Sequence, residues 1–133
     1  MNRETIIDEE SASLYFYPEL KVIHHSFHKF LNDGTFRRVL TKGADLFIKH
    51  NCKKWLSDDR QSPIIKKEDL DWGVQHWTPR VTKAGWKYWA IILPDKEVGK
   101  IMMKPLIEEY SNNGITVKIF NDDVSALKWL SQQ

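Results

Sequence analysis

Residues 86–93 form an almost unbroken run of β-prone apolar residues that ends at Pro94-Asp95. A strand that is buried on one face alternates apolar with polar residues, whereas this run is apolar on both faces. Such a strand belongs in the middle of a sheet. The segment therefore predicts an α/β fold in which packed layers cover a central sheet on both sides.

The amino-terminal third predicts a hairpin followed by a helix. Residues 13–17 alternate at period two, Pro18-Glu19 interrupts the pattern, and residues 20–27 form a second extended run. Two extended runs so close together are typical of an antiparallel hairpin. After the turn Asn32-Asp33-Gly34, apolar residues recur at helical spacing over residues 36–48, the strongest periodic signal in the chain.

The rest of the chain alternates strands with helices. Further strands are predicted over residues 53–57, 86–93 and 115–120, and further helices over residues 70–84, 98–112 and 124–130. The buried stripe of the second helix is predicted to contain Leu70, Val74, Trp77, Val81 and Ala84. Because Pro79 lies inside this helix and removes one backbone hydrogen bond, we expect a kink there.

The resulting order is ββαβαβαβα, with a mixed five-stranded sheet and an amino-terminal antiparallel hairpin. Strands that alternate with helices of this length imply parallel pairing with right-handed crossovers. A length of 133 residues fits one domain over residues 1–133. Residues 1–11 are expected to be poorly ordered.

Charge and composition exclude several classes of protein. The chain has 20 Lys and Arg against 18 Asp and Glu, a net charge of +2, and this near balance argues against a nucleic-acid-binding protein. Its only cysteine, Cys52, cannot form an internal disulfide. The longest fully apolar run, residues 89–93, is far shorter than the ~20 residues of a membrane-spanning helix. The acidic amino terminus lacks a signal-peptide pattern, so a cytoplasmic location is expected.

Several phrases, in order and spacing, resemble small bacterial STAS/SEC14-like proteins, which are SpoIIAA-like. The phrases are Lys54-Trp55-Leu56-Ser57-Asp58-Asp59-Arg60, Glu68-Asp69-Leu70-Asp71-Trp72, Trp77-Thr78-Pro79-Arg80, Trp89-Ala90-Ile91-Ile92-Leu93-Pro94 and Phe120-Asn121-Asp122-Asp123. The resemblance implies the fold of the anti-sigma-factor antagonist, a superhelix of βα units around a mixed sheet. It also implies a non-enzymatic binding or regulatory domain that contacts another protein in bacterial signalling.

The best-understood members of that family are switched by phosphorylation of a serine at the start of the second helix. The matching stretch here, Ile65-Lys66-Lys67-Glu68-Asp69, contains neither serine nor threonine. The carboxylates of Glu68 and Asp69 already occupy the helix terminus where phosphate would add negative charge. This departure weakens the prediction of a phosphorylation switch.

Two polar clusters are candidate binding sites. Ser57, Asp58, Asp59 and Arg60 follow a strand, and in open α/β sheets ligands bind beyond the carboxyl ends of the strands. They could bind a cation, a polar ligand or a basic group of a partner. Alternatively, they form a solvated turn in which Asp59 pairs with Arg60.

The second cluster consists of Trp72, His76 and Arg80, which recur every four residues on one helical stripe. A tryptophan and a guanidinium suit a flat or anionic ligand and are also common anchors of protein interfaces. Alternatively, Trp72 covers the sheet edge while His76 and Arg80 are solvated.

The hairpin predicts self-association. Tyr15 and Tyr17 lie on one face of the first strand, and His25 and Phe27 share a face of the second. If helices cover mainly one side of the sheet, an aromatic second face needs another cover, and a homodimer would supply it.

No catalytic residue, metal site or cofactor is predicted. His24 and His28 are too far apart along a strand for easy chelation of one metal ion, and Cys52 has no partnered base. The alternative to a protein-binding domain is a binder of a small apolar or amphiphilic, lipid-like ligand, with a pocket lined by Trp72, Trp77, Met102 and Met103. A third hypothesis is an enzyme in which Asp58 or Asp59 meets His76.

Overall fold

A six-stranded mixed sheet organises residues 2–133, which the computed structural model describes. The strands are β1 (Glu4–Asp8), β2 (Ala12–Tyr17), β3 (Val22–Phe27), β4 (Lys54–Asp58), β5 (Tyr88–Ile92) and β6 (Thr116–Phe120). Their order in the sheet is their order in the chain. The pairs β1–β2 and β2–β3 are antiparallel, and the three later pairs are parallel. The predicted α/β class and hairpin are confirmed.

The prediction of five strands and of poor order over residues 1–11 is wrong for the part of that segment that is described. Strand β1 pairs along β2, with Glu4 opposite Phe16 and Asp8 opposite Ser13. A bulge lies between Thr5 and Ile7. The three β-branched residues 5–7 favour a strand, but the acidic residues on both sides hide this short signal.

Five α-helices and one π-helical turn connect or follow the strands. The helices are α1 (Thr35–Lys49), α2 (Lys67–Trp72), α3 (Thr78–Lys83), α4 (Glu97–Asn112) and α5 (Asp123–Ser131), and the π-turn is Gly73–Trp77. The parallel strands follow one another across the sheet in a single direction. Right-handed crossover connections between them therefore all lie on the same face of the sheet. Helices α1 to α4 pack there, on the face that we call the crossover face, whereas α5 packs on the opposite α5 face. None of the helices within residues 2–133 is long and apolar enough to cross a membrane.

Side chains of each inner strand alternate between the two faces. In β4, Trp55 packs in the core of the crossover face, and Leu56 packs in the core of the α5 face. In β5, Ile91 and Ile92 divide in the same way. Strand β5 is therefore buried on both sides, as its apolar run predicts.

The second predicted helix is interrupted by the π-turn. The carbonyl of Gly73 accepts hydrogen bonds from the backbone N–H of Thr78 and, at 3.2 Å, from its hydroxyl. Pro79, which has no N–H, follows at once, so the predicted irregularity is a π-turn just before the proline. The extra residue changes the helical register: Trp77 and Val81 are buried, but Val74 of the predicted stripe is exposed.

Four tryptophans form a continuous row in the crossover core. Trp77 lies edge-to-face with Trp55 at 4.9 Å and with Trp86 at 5.3 Å between ring centroids. Trp86 in turn contacts Trp89 at 5.5 Å. Such pairs add stabilisation beyond the area they bury. The row links the π-turn to β4 and β5 and positions the walls of the cavity described next.

Candidate functional site

An apolar cavity of about 320 Å³ opens on the crossover face, beyond the carboxyl ends of β3, β4 and β5. Its walls come from α1, the segment 62–65, the π-turn and α4. The apolar side chains of the lining include Phe36, Leu40, Leu70, Trp77, Met103 and Leu106. The position follows the rule that open α/β sheets bind ligands outside the ends of their parallel strands.

Helix α4 forms the least buried wall. Tyr110 is the one residue within Glu97–Asn112 that is buried. A Cβ atom at Gly99 would lie 2.7 Å from Cβ of Pro94, so the absence of a side chain lets the first turn of α4 approach the end of β5. At the other end, the hydroxyl of Tyr110 lies 2.6 Å from Oγ1 of Thr78. The helix is thus held at its two ends and leaves space beneath its middle.

Three polar side chains form the floor of the cavity: His25 of β3, Ser57 of β4 and Asp59, which directly follows β4. His25 and Ser57 are opposite each other in the β3–β4 pair. Nε2 of His25 is 3.0 Å from Oδ1 of Asp59, and the indole N–H of Trp89 donates to Oγ of Ser57 at 2.9 Å. All three side chains are buried.

Hydrogen bonds fix the protonation of His25. The indole N–H of Trp55 donates to Nδ1 of His25 at 2.9 Å, and an indole can only donate. Nδ1 is therefore the acceptor, so Nε2 carries the proton and donates it to Asp59. Both ring nitrogens of this neutral imidazole are occupied by protein groups. His25 consequently has no nitrogen free to act as a base towards Ser57.

The structure divides the predicted cluster Ser57, Asp58, Asp59 and Arg60 between the two faces. Ser57 and Asp59 line the cavity. Asp58 instead binds Arg60 through two bonds, Nε to Oδ1 at 3.0 Å and Nη2 to Oδ2 at 2.7 Å. The predicted turn in which Asp59 pairs with Arg60 is therefore wrong, because consecutive strand residues point in opposite directions.

Burial and pairing act on Asp58 in opposite directions. Burial raises the pKa of its carboxyl, but the hydrogen bonds and charge of Arg60 outweigh this effect and hold the pKa below its ordinary value. The pair also lies near the start of α5, with Nη2 of Arg60 4.0 Å from Oδ1 of Asp123. It orders the end of β4 on the α5 face and has no part in the cavity.

Trp72, His76 and Arg80 lie beside α1 and outside the cavity. Trp72 is half-buried, packs edge-on against Phe36 at 6.4 Å, and has the guanidinium carbon of Arg37 5.6 Å from its ring centre. His76 is exposed, with its ring 6.4 Å from that of Trp72. Nη2 of Arg80 binds Asp45 of α1 at 2.8 Å. The stripe is largely engaged with α1.

The residues predicted for self-association do not form one surface. His25 and Phe27 lie on the crossover face and line the cavity. Tyr17 lies on the α5 face, where its hydroxyl is 3.0 Å from Nδ1 of His24, and Tyr15 on the same face is half-buried. Tyr17, His25 and Phe27 are all buried within this single chain.

The arrangement required for the enzyme hypothesis is not formed among residues 2–133. The partners of Asp58 and Asp59 are Arg60 and His25, whereas His76 is exposed. No group of three or more His, Cys, Asp or Glu side chains in the same part of the chain is placed to hold a metal ion. Burial raises the pKa of the Cys52 thiol to about 11, so it stays protonated and packs as a small apolar group.

The role of His25 was missed from the sequence. The alternation of β3 does place it on the same face as Ile23 and Phe27, where a polar residue between apolar ones is a useful signal. Its neighbours Trp55, Ser57 and Asp59 come from another strand, however, and the parallel register that brings them together depends on the α1 crossover.

The chain matches no protein-family model, no curated protein and no solved structure. The STAS/SEC14-like resemblance therefore stays a prediction, and the candidate site stands on its own geometry.

Proposed function

We propose that this protein binds a small apolar or amphiphilic molecule in the cavity beneath α4. One observation carries the proposal: about 320 Å³ of space is left open between α4 and the sheet, lined mainly by apolar side chains. Ligand pockets commonly have volumes of roughly 300–1,000 Å³ and combine apolar walls with a few convergent polar groups. The floor formed by His25, Ser57 and Asp59 supplies such groups.

The size of the cavity favours a compact ligand. Its volume is about twice the ~150 Å³ of a cavity that encloses benzene. Three of the four residues predicted to line a ligand pocket do line this cavity: Trp77, Met102 and Met103. The fourth, Trp72, packs against α1 instead. Methionine side chains adapt their shape easily, which suits a wall that contacts an apolar ligand.

The cavity mouth also carries apolar side chains in contact with water. Ile64, Val74 and Met102 line it and are 55%, 43% and 40% exposed. Exposed apolar side chains gathered at one opening mark a binding site more often than scattered ones do. A bound apolar molecule would cover these residues. Contact with a signalling protein and homodimer formation both stay predictions.

The proposal is tested with N-phenyl-1-naphthylamine, an uncharged dye whose fluorescence rises in apolar surroundings. We expect saturable binding of one dye molecule per chain. Leu106→Trp places a larger side chain inside the cavity. It should weaken dye binding at least ~10-fold, because the indole would occupy space that the dye needs. Ile101→Trp is the matched control, since Ile101 lies on the same helix, is 69% exposed and does not line the cavity.

Circular dichroism and thermal melting of both variants show whether each remains folded. The proposal is contradicted if the folded wild-type protein does not bind the dye, or if a folded Leu106→Trp variant binds it as tightly as the Ile101→Trp control. In either case the open space beneath α4 does not serve as a ligand site.

A further inference from the structure

We infer that the ligand of this cavity carries a protonated amine, bound at the floor by Asp59, on an apolar body that lies beneath α4. The inference rests on the proposed function and specifies the chemical class of the ligand. It follows from which polar atoms in the lining still have hydrogen-bonding capacity, and from the charges around them.

Most side-chain hydrogen-bond donors of the lining are already bonded to other protein groups. The Nε2–H group of His25 donates a hydrogen bond to Asp59, and the hydroxyl of Ser62 donates one to the carbonyl of Pro63 at 2.9 Å. Trp89 donates to Ser57. The indole N–H of Trp77 has no partner among residues 2–133, but its nitrogen is fully buried.

The hydroxyl of Tyr110 is also committed as a donor. The hydroxyl of Thr78 donates its hydrogen bond to the carbonyl of Gly73. In the 2.6 Å bond between Thr78 and Tyr110, the hydroxyl of Tyr110 is therefore the donor. Tyr110 therefore keeps only acceptor capacity. The remaining donor at the floor is the hydroxyl proton of Ser57.

Among the side-chain groups that still have hydrogen-bonding capacity, acceptors dominate. Oδ2 of Asp59 accepts no hydrogen bond from the described residues, and an ionised carboxylate can only accept. Ser57 receives one bond and retains a second lone pair. The side chains at the floor therefore present mainly acceptors to a ligand, and an ammonium group, which has three donors and no acceptor, complements them.

The charges point the same way. Two acidic residues line the cavity, Asp59 at the floor and Glu109 on α4, and neither lysine nor arginine lies among its lining residues. The guanidinium nearest in sequence, that of Arg60, is bound to Asp58. A carboxylate or phosphate on the ligand would face like charge, whereas an ammonium group would form a charge-assisted hydrogen bond with Asp59.

The test compares octylamine, octanol and sodium octanoate, which share one apolar chain and differ in the head group. Binding is measured below micelle-forming concentrations by isothermal titration calorimetry and by tryptophan fluorescence, since Trp77 and Trp89 line the cavity. We expect octylamine to bind at least ~10-fold more tightly than octanoate, with octanol between them. The net charge of +2 would favour octanoate if attraction were nonspecific.

Asp59→Asn is the decisive variant. The side-chain carbonyl of asparagine still accepts a hydrogen bond from Nε2 of His25, but the negative charge is removed. The preference for octylamine over octanol should therefore disappear, while octanol should still bind. Asp58→Asn is the matched control, because Asp58 lies on the opposite face, and it should leave the preference intact. If Asp59→Asn does not fold, Glu109→Gln, compared with Glu108→Gln outside the cavity, tests the charge at the mouth.

The outcomes separate the two proposals. If octanol or octanoate binds as tightly as octylamine, the assignment of an ammonium ligand is wrong and the proposed apolar site stands. If none of the three compounds and no neutral dye binds, the proposed function itself fails. An unchanged preference in a folded Asp59→Asn variant also overturns the assignment, because the charge that it invokes is then irrelevant.

Discussion

The indole of Trp55 and the imidazole of His25 are joined by a buried hydrogen bond of 2.9 Å that runs from Nε1 to Nδ1. Trp55 has no exposed surface, and its ring also packs against Trp77. One side chain therefore serves both the apolar core and the polar floor of the cavity.

This bond predicts the tautomer of His25. Long-range ¹H–¹⁵N correlation spectra at pH 7.5 should show His25 neutral, with its proton on Nε2. Trp55→Phe leaves Nδ1 without its donor and should lower the free energy of unfolding by about 1–3 kcal/mol, since a buried acceptor loses its partner. A spectrum with the proton on Nδ1 would contradict the hydrogen-bonding scheme on which the acceptor-rich floor depends.

His24 predicts how stability changes with acid. Burial lowers its pKa from 6.5 to about 4 in the folded protein, although Asp58 opposes this shift. In the unfolded chain His24 is protonated below about pH 6.5. In the folded protein it is protonated only below about pH 4. The free energy of unfolding should therefore fall as the pH is lowered through this window, by about 3 kcal/mol in total.

Urea denaturation at several values between pH 7 and pH 4 measures this change. His24→Gln keeps an acceptor for Tyr17 but does not titrate, so its pH dependence over the window should be much shallower. The four other histidines remain in both proteins and act as an internal control. Equal slopes for the wild type and the variant would show that His24 does not contribute.

Gly43 predicts a steric effect on the core. A Cβ atom there would lie 2.5 Å from Cη2 of Trp55, in the middle of α1. Alanine is ordinarily favoured over glycine in a helix by up to ~1 kcal/mol, but here the clash should dominate and Gly43→Ala should destabilise the protein by about 1–2 kcal/mol. Chemical denaturation measures this, with exposed Lys42→Ala as the control. A stabilised Gly43→Ala variant would mean that Trp55 moves freely.

Tyr110 predicts the mobility of α4. Burial raises the pKa of its phenol, and the hydrogen bond with Thr78 acts against this rise. Tyr110→Phe removes that bond while keeping the ring, so hydrogen exchange should accelerate in α4, with a loss of stability of about 1 kcal/mol. Tyr88→Phe is the control, because the hydroxyl of Tyr88 bonds to none of the described residues. Unchanged exchange in α4 would show that the bond does not anchor this helix.

The order of most elements could be predicted from local patterns. Alternation over residues 13–17 and helical spacing over residues 36–48 each report which face of one element is buried, and a single element suffices to read them. The π-turn could not be read in this way, because Val74 fits a regular helical stripe and only the bonds to the Gly73 carbonyl reveal the extra residue.

The site was harder to predict than the fold because it depends on contacts between strands. The position of the predicted cluster at the end of a strand pointed to this edge of the sheet, where Ser57 and Asp59 line the cavity, but pairing Asp59 with Arg60 ignored the alternation of strand side chains. His25 joins Asp59 from 34 residues away. That distance is bridged by the parallel β3–β4 register, which no local pattern encodes.

The unidirectional strand order has a consequence for the range of molecules that this chain could accommodate. The crossover helices follow the strands in sequence, so α4 is the last of the row and has a helical neighbour on one side only. Outward displacement of its middle would enlarge the cavity without repacking α1, whereas its carboxyl end stays anchored by Tyr110, whose ring packs on Trp86 and Trp89 of the tryptophan row. If the cavity binds the proposed ligand, longer apolar bodies would be admitted by the movement of this one helix, while the strands keep the polar floor in place.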